Sequence, residues 1–229
     1  MIHIHYFICC KPGMEEREFH RYWKEVHGPL ARKIPQLRRY VQSHRIPFGQ
    51  EPAAPPFDGV AEVWLDSEQA LRELTQSKEY REGALADEPN FIDMNRVLWV
   101  HTTDYVVLEG APIKQDTRLV KGVFLIKRKP GMSLTDFRQY WKEVHGPIVL
   151  KLPGLRRYVQ CHALDSFYKD REPRFDGVAQ IWFDNTQAME RMMASREFKE
   201  ESWPDGAKFI DQSSIMSFVA EEHRVIWPA

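Results

Sequence analysis

FHRYWKEVHGPLARKIPQLRRYVQSH, residues Phe19–His44, returns as FRQYWKEVHGPIVLKLPGLRRYVQCH, residues Phe137–His162, and eighteen of the twenty-six positions are identical. The offset is 118 residues. It also carries FDGVAEVWLD (Phe57–Asp66) onto FDGVAQIWFD (Phe175–Asp184), and Phe91-Ile92-Asp93 onto Phe209-Ile210-Asp211. A fixed internal period of this length means one structural unit present twice. The expected domains are residues 1–110 and 119–229, with the Gly-, Pro- and polar-rich stretch 109–118 between them.

Inside the quoted stretch, Phe19, Tyr22, Trp23, Val26 and His27 are spaced as one face of a helix. Gly28-Pro29 predicts its end, because proline cannot extend the hydrogen-bond ladder. Short apolar runs at Ile2–Cys10, Leu37–Arg45 and Gly59–Leu65 read as strands, with proline-rich or polar loops at 47–56 and 165–173. Asp66-Ser-Glu-Gln69 and Asp184-Asn-Thr-Gln187 predict the start of a second helix in each half. Strands over roughly 96–108 and 214–226 complete the order β-α-β-β-α-β, the ferredoxin-like unit. Such a unit covers one sheet face with helices and leaves the other bare. The expected fold is therefore α+β: two ferredoxin-like units in one chain forming an intramolecular α+β barrel.

The 229-residue chain has a formal net charge of −1, which argues against general attraction to nucleic acid or an anionic membrane. Its three cysteines, Cys9, Cys10 and Cys161, form no disulfide framework and no CxxC pattern. No run is long and apolar enough to span a bilayer. A cytoplasmic protein is the expectation. Nucleotide-binding glycine loops, GxSxG and HExxH are all missing, which removes nucleotide-driven and serine-hydrolase chemistry.

Strand alternation puts Tyr40, Gln42 and His44 on one side of their strand, and Val60, Glu62 and Trp64 on one side of the next. If both sets face the helix carrying Trp23 and His27, each half holds a pocket between sheet and helices. Trp141, His145, Tyr158, Gln160, His162, Gln180 and Trp182 are the second set. A histidine moves protons near neutral pH, and a phenol can donate to a carbonyl or enolate oxygen. His27, Tyr40, His145 and Tyr158 are the candidate catalytic residues, and the others would bind substrate. The competing reading is that the histidines only hydrogen-bond the last helix carbonyls. Glu62 against Gln180 is the one difference singled out between the sets. His3 and His5 share a strand face but lack a third metal ligand nearby, so no metal is assigned. Arg38-Arg39 and Arg156-Arg157 would attract an anionic substrate or be ion-paired at the surface.

The W-x-x-x-H-G-P box and the FDG strand, with their second copies, resemble the EthD family of dimeric α+β barrel proteins. That family usually carries one unit and dimerises, so the resemblance implies a tandem fusion pairing internally: a monomer with an internal pseudo-dimer, or a homodimer of such chains. Related groups include muconolactone and methylmuconolactone isomerases, cofactor-free monooxygenases and polyketide cyclases. In the methylmuconolactone group a histidine at the helix end and a tyrosine thirteen residues later line the active site, and His27/Tyr40 and His145/Tyr158 match that spacing. The implied function is a cofactor-independent isomerase, cyclase or lyase acting on a small cyclic or aromatic metabolite. The alternatives are a non-catalytic binding protein and a cofactor-free monooxygenase.

Overall fold

The computed structural model describes residues 1–49, 55–169 and 171–228. Parts of the two expected loops, at 50–54 and 170, lie outside the described residues, as does the terminal residue of the second expected domain. The first copy runs β1 (Ile2–Ile8), α1 (Glu16–Tyr22), α2 (Gly28–Ala31), β2 (Arg39–Ile46), β3 (Gly59–Leu65), α3 (Glu68–Gln76), α4 (Leu85–Asp87) and β4 (Leu98–Leu108). The second runs β5 (Val120–Ile126), α5 (Leu134–Tyr140), α6 (Gly146–Val149), β6 (Arg157–Ala163), β7 (Gly177–Phe183), α7 (Thr186–Ala194), α8 (Trp203–Gly206) and β8 (Met216–Ile226). Hydrogen-bonded strand neighbours follow the closed order β1-β3-β2-β8-β5-β7-β6-β4.

The chain forms two compact units. One comprises Met1–His101, Lys114–Asp116 and Ala220–Ala229, and the other Thr102–Ile113 and Thr117–Val219. Residues 102–108 of β4 therefore count with the second unit, where they pair antiparallel with β6.

The first helix does not stop at Gly28-Pro29. Gly28 keeps a right-handed φ of −53°, and the chain passes from α1 through a π-helical turn, Trp23–His27, directly into α2. In that wider turn the Gly28 N–H bonds Trp23 O, five residues back. Proline's missing donor and its clash with the carbonyl four residues back are both relieved by such a turn. The second copy does the same at Trp141–His145. The predicted starts of α3 and α7 are observed one residue on from the leading aspartates: Ser67 Oγ accepts from Ala70 N, and Asn185 Oδ1 from Ala188 N.

The glycine of FDG has a packing reason. A Cβ on Gly59 would sit 2.6 Å from the Trp23 ring and 2.8 Å from Ser43 O. Gly177 meets Trp141 at 2.7 Å in the same way. The bare glycine lets the helix tryptophan lie flat on the strand, over a cluster of Tyr6, Ile8, Phe19, Phe91 and Ile92.

Strand register decides the faces. Tyr40 pairs with Val63 and Gln42 with Ala61, while Val41 pairs with Glu62 and Arg39 with Trp64. Directly paired residues share a face. Tyr40, Gln42, Ala61 and Val63 thus face the helices, and Glu62 and Trp64 face the opposite way. Gln180 and Trp182 are reversed likewise, paired with Val159 and Arg157.

Candidate active site

A cavity of about 420 Å³ opens in the first unit between sheet and helices. Its walls are largely aliphatic, with Ile4, Ile34, Leu37, Val63 and Leu74 among them, and its polar groups come from His27, Tyr40, Tyr6, Thr75, Tyr80, Glu88 and His101. Apolar walls with a few convergent polar groups are the usual form of a small-molecule site.

His27 sits on the π turn and is 7% exposed. Its Nδ1 lies 3.1 Å from Asp87 Oδ2, and the other oxygen of Asp87 accepts from Tyr22 Oη at 2.7 Å and Asn90 Nδ2 at 3.0 Å. A carboxylate on Nδ1 fixes the tautomer with that nitrogen protonated, leaving Nε2 as the basic nitrogen. Burial lowers the His27 pKa from its ordinary value, and Asp87 partly offsets this. Burial acts to raise Asp87, but its hydrogen bonds from Asn90, Tyr22 and His27 hold it below the ordinary value. The pair is a neutral imidazole backed by a carboxylate.

The Tyr40 hydroxyl oxygen accepts two hydrogen bonds, from Trp23 Nε1 and Gln42 Nε2, both at 3.0 Å. With its acceptor capacity used, the phenol's own O–H is what it offers to a guest. Burial keeps it protonated far above the ordinary range. Gln42 spends its other bond on Trp23 O at 2.8 Å, the carbonyl that also receives the π-turn N–H.

Glu88 brings a carboxyl into the same cavity and is 5% exposed. Tyr6 Oη donates to its Oε2 at 3.1 Å. Burial, with Asp87 adding to it, raises Glu88 to about 7 despite the bond from Tyr6. Burial also lowers His101 to about 4, so it stays neutral.

The sequence-predicted residues divide accordingly. His27 and Tyr40 line the cavity; Trp23, Gln42 and His44 lie behind it, with His44 stacked on Trp23 at 4.5 Å between ring centroids. Glu62 and Trp64 are not in it. The Glu62 carboxylate, fully buried, accepts from Ser43 Oγ and approaches His3 Nε2 at 3.5 Å, while Trp64 stacks on His3. The expectation that they share the Tyr40 side is corrected by register: alternation shows which residues share a face, but not which face it is. Nor do the histidines serve as caps on final helix carbonyls, because the helix continues beyond them. Arg38 and Arg156 are ion-paired at the surface, to Asp66 and Asp184.

The second unit repeats the framework around a cavity of about 110 Å³. His145 Nδ1 lies 2.9 Å from Asp205 Oδ2, and Tyr158 Oη accepts from Trp141 Nε1 at 2.8 Å and Gln160 Nε2 at 3.1 Å. His145, Tyr158 and Trp141 border the cavity; Gln160 and His162 lie behind, and Gln180 and Trp182 face away. At the 118-residue offset Tyr6, Tyr80 and Glu88 become Phe124, Phe198 and Gly206. Asp87, Glu88, Tyr6 and Tyr80 are site residues absent from the sequence expectations; Asp87 recurs as Asp205, while the loss of Tyr6, Tyr80 and Glu88 from the second copy was legible at that offset.

Fold and site define a tandem α+β protein with an apolar-walled cavity in each unit. The chain belongs to the EthD domain family, whose model matches residues 11–95 and 129–213. It is 32% identical over 97 residues to a protein named dehydratase ustZ from Ustilaginoidea virens, spanning 37% of this chain and 69% of that one. It is 31% identical over 99 residues to a conidial pigment biosynthesis dehydratase EthD from Metarhizium robertsii, spanning 38% of this chain and 70% of that one. The solved structure of an anthrone oxidase-like protein covers 98% of this chain and 92% of its own, with TM-score 0.67 and 11% identity, a likeness of fold. Among the described residues no helix is long and apolar enough to cross a membrane.

Proposed function

We propose that the chain is a cofactor-independent enzyme of lyase type, acting on a small, partly apolar cyclic metabolite by proton transfer in the first unit. The repeats, 1–110 and 119–229, are read as two ferredoxin-like copies of which the first carries the working site. His27 Nε2 takes a proton from carbon next to a carbonyl, and Tyr40 donates to the oxygen that gains charge. Asp87 keeps the imidazole in the right tautomer and stabilises the imidazolium that forms. The observation that carries this is one cavity bordered both by a carboxylate-backed imidazole and by a phenol whose oxygen already accepts two bonds. The relatives named dehydratases support a lyase over an isomerase.

The test is α-proton exchange of a cyclic ketone, α-tetralone, in deuterium oxide. His27→Asn should lower exchange by roughly 10²–10⁴-fold, the usual worth of a general base. Unchanged exchange in the folded variant refutes the assignment. A binding role without turnover suits the second unit better, because its cavity is smaller and the Tyr6, Tyr80 and Glu88 positions there are Phe124, Phe198 and Gly206.

A further inference from the structure

We infer that Glu88 is the general acid of the first unit's site, and that the reaction is loss of water from a cyclic β-hydroxy ketone. This rests on the His27 reading above and adds a third group, after His27 and Tyr40, to it.

Asp87 and Glu88 are consecutive, and they serve one cavity in two ways. Asp87 holds His27, while Glu88 enters the cavity itself beneath the Tyr6 hydroxyl. The groups acting on the Glu88 carboxyl are Tyr6 and Asp87, and no cation among the described residues offsets its charge. A buried carboxyl so placed is biased toward the neutral form, which carries a proton it can give away. Tyr6, His27, Tyr40 and Tyr80 line the cavity that Glu88 enters, so the acid, the phenol donor and the histidine surround the same space.

An isomerisation needs one group to lift a proton and return it. Three groups suit a different task. Hydroxide is a poor leaving group, and a proton supplied as it departs speeds its loss. In the first step His27 Nε2 takes the proton from Cα, and the electron pair forms an enolate whose oxygen receives the Tyr40 O–H. In the second step the pair returns to make the Cα=Cβ bond. The Cβ–O bond breaks and its oxygen takes the Glu88 proton, leaving as water. Imidazolium and carboxylate remain, and one proton passing from the first to the second restores both. No oxidant or reductant is consumed. The aliphatic walls, Ile4, Ile34, Leu37, Val63, Leu71 and Leu74, suit a hydrocarbon ring carrying these two oxygens.

The second unit is the internal contrast. It keeps His145, Asp205 and Tyr158 but has Gly206 and Phe124 where the acid and its donor stand. It can take a proton but cannot protonate a leaving hydroxyl.

The experiment compares wild type and Glu88→Gln on two ketones, α-tetralone and the tetralone bearing a hydroxyl β to its carbonyl. Deuterium uptake at Cα reports the His27 step, and formation of the aromatic product reports loss of water. Wild type should do both. Glu88→Gln should lower the rate of water release relative to that of exchange, both read in the same protein, by roughly 10²–10⁴-fold. Exchange in the variant also shows that it is folded. Water release at the wild-type rate in Glu88→Gln overturns the proposal, and so does loss of exchange together with elimination. Wild type that exchanges without releasing water overturns the substrate class and leaves the base standing. Wild type that does neither takes down the underlying His27 reading as well.

Discussion

Glu88 should make the protein less stable as pH rises, and replacing it with glutamine should remove that dependence. Its carboxyl is raised from 4.5 to about 7 in the folded state by burial. A group that holds its proton more tightly folded than unfolded contributes stability fully present below the unfolded value, which is lost as pH rises through the folded one. The span from 4.5 to about 7, at about 1.36 kcal/mol per pH unit, comes to about 3 kcal/mol. At about pH 5 roughly a quarter of this is already lost, and by about pH 8.5 nearly all of it is, so roughly 2.5 kcal/mol falls inside that window. Glutamine has the same shape, still accepts from Tyr6, and carries no titrating proton. The assay is urea unfolding of wild type and Glu88→Gln near both pH values, with the difference between the two proteins compared across pH so that all shared titrations cancel. Glu88→Gln should gain about 2–3 kcal/mol on wild type at the alkaline end. A difference that stays flat would mean the carboxyl is already ionised when folded, and its role as acid would fall with it.

Three further outcomes are expected. The pH profile of kcat/KM should be bell-shaped: His27 must be neutral, so activity is lost as pH falls through its lowered value, and Glu88 must be protonated, so activity is lost as pH rises through about 7. Tyr6, Tyr40, Tyr80 and Asp87 are the titratable groups around Glu88 that shape the alkaline limb, and a limb well above that range would argue against it. Tyr40→Phe and Tyr158→Phe each leave a buried tryptophan N–H and a glutamine N–H without their shared acceptor, and denaturant unfolding should show a loss of about 1–3 kcal/mol in each. Gly59→Ala and Gly177→Ala drive a methyl into a tryptophan ring and a strand carbonyl, and should cost about 1–3 kcal/mol or more; near-neutral melting temperatures would show that the helix can lift off the strand.

Most of the framework was legible. The repeat gave two copies, the spacing of Phe19, Trp23 and His27 gave the helix face, and alternation grouped Tyr40 with Gln42 and His44. What failed was longer in range. The period of β3 could not say that Val63, not Glu62, lies beside Tyr40, because pairing across strands fixes that. The Gly28-Pro29 stop was overridden by a π turn whose extra residue accommodates the proline. Asp87 stands 60 residues beyond His27, in a stretch without clear periodicity, so no local pattern joins the two.

The two copies differ in a way that separates fold from chemistry. Phe19, Trp23, Gly59 and Phe91 recur unchanged as Phe137, Trp141, Gly177 and Phe209, and these residues pack the first helix on the sheet. Cavity positions change instead: Tyr6, Tyr80 and Glu88 become Phe124, Phe198 and Gly206, and Ala31 and Ala84 become Val149 and Ser202. Larger groups at two of these places fit a cavity reduced from about 420 to about 110 Å³. Removing a buried acid with no cation beside it also lifts the desolvation cost that Glu88 imposes on the first unit. The second unit should therefore be the more stable of the two at alkaline pH, and the first should open earlier. Hydrogen exchange resolved by segment can show this: amides of β6 and β7 should outlast those of β2 and β3 above about pH 8, and the gap should narrow in Glu88→Gln. Equal protection at every pH would mean that the buried carboxyl imposes no cost, contrary to its placement.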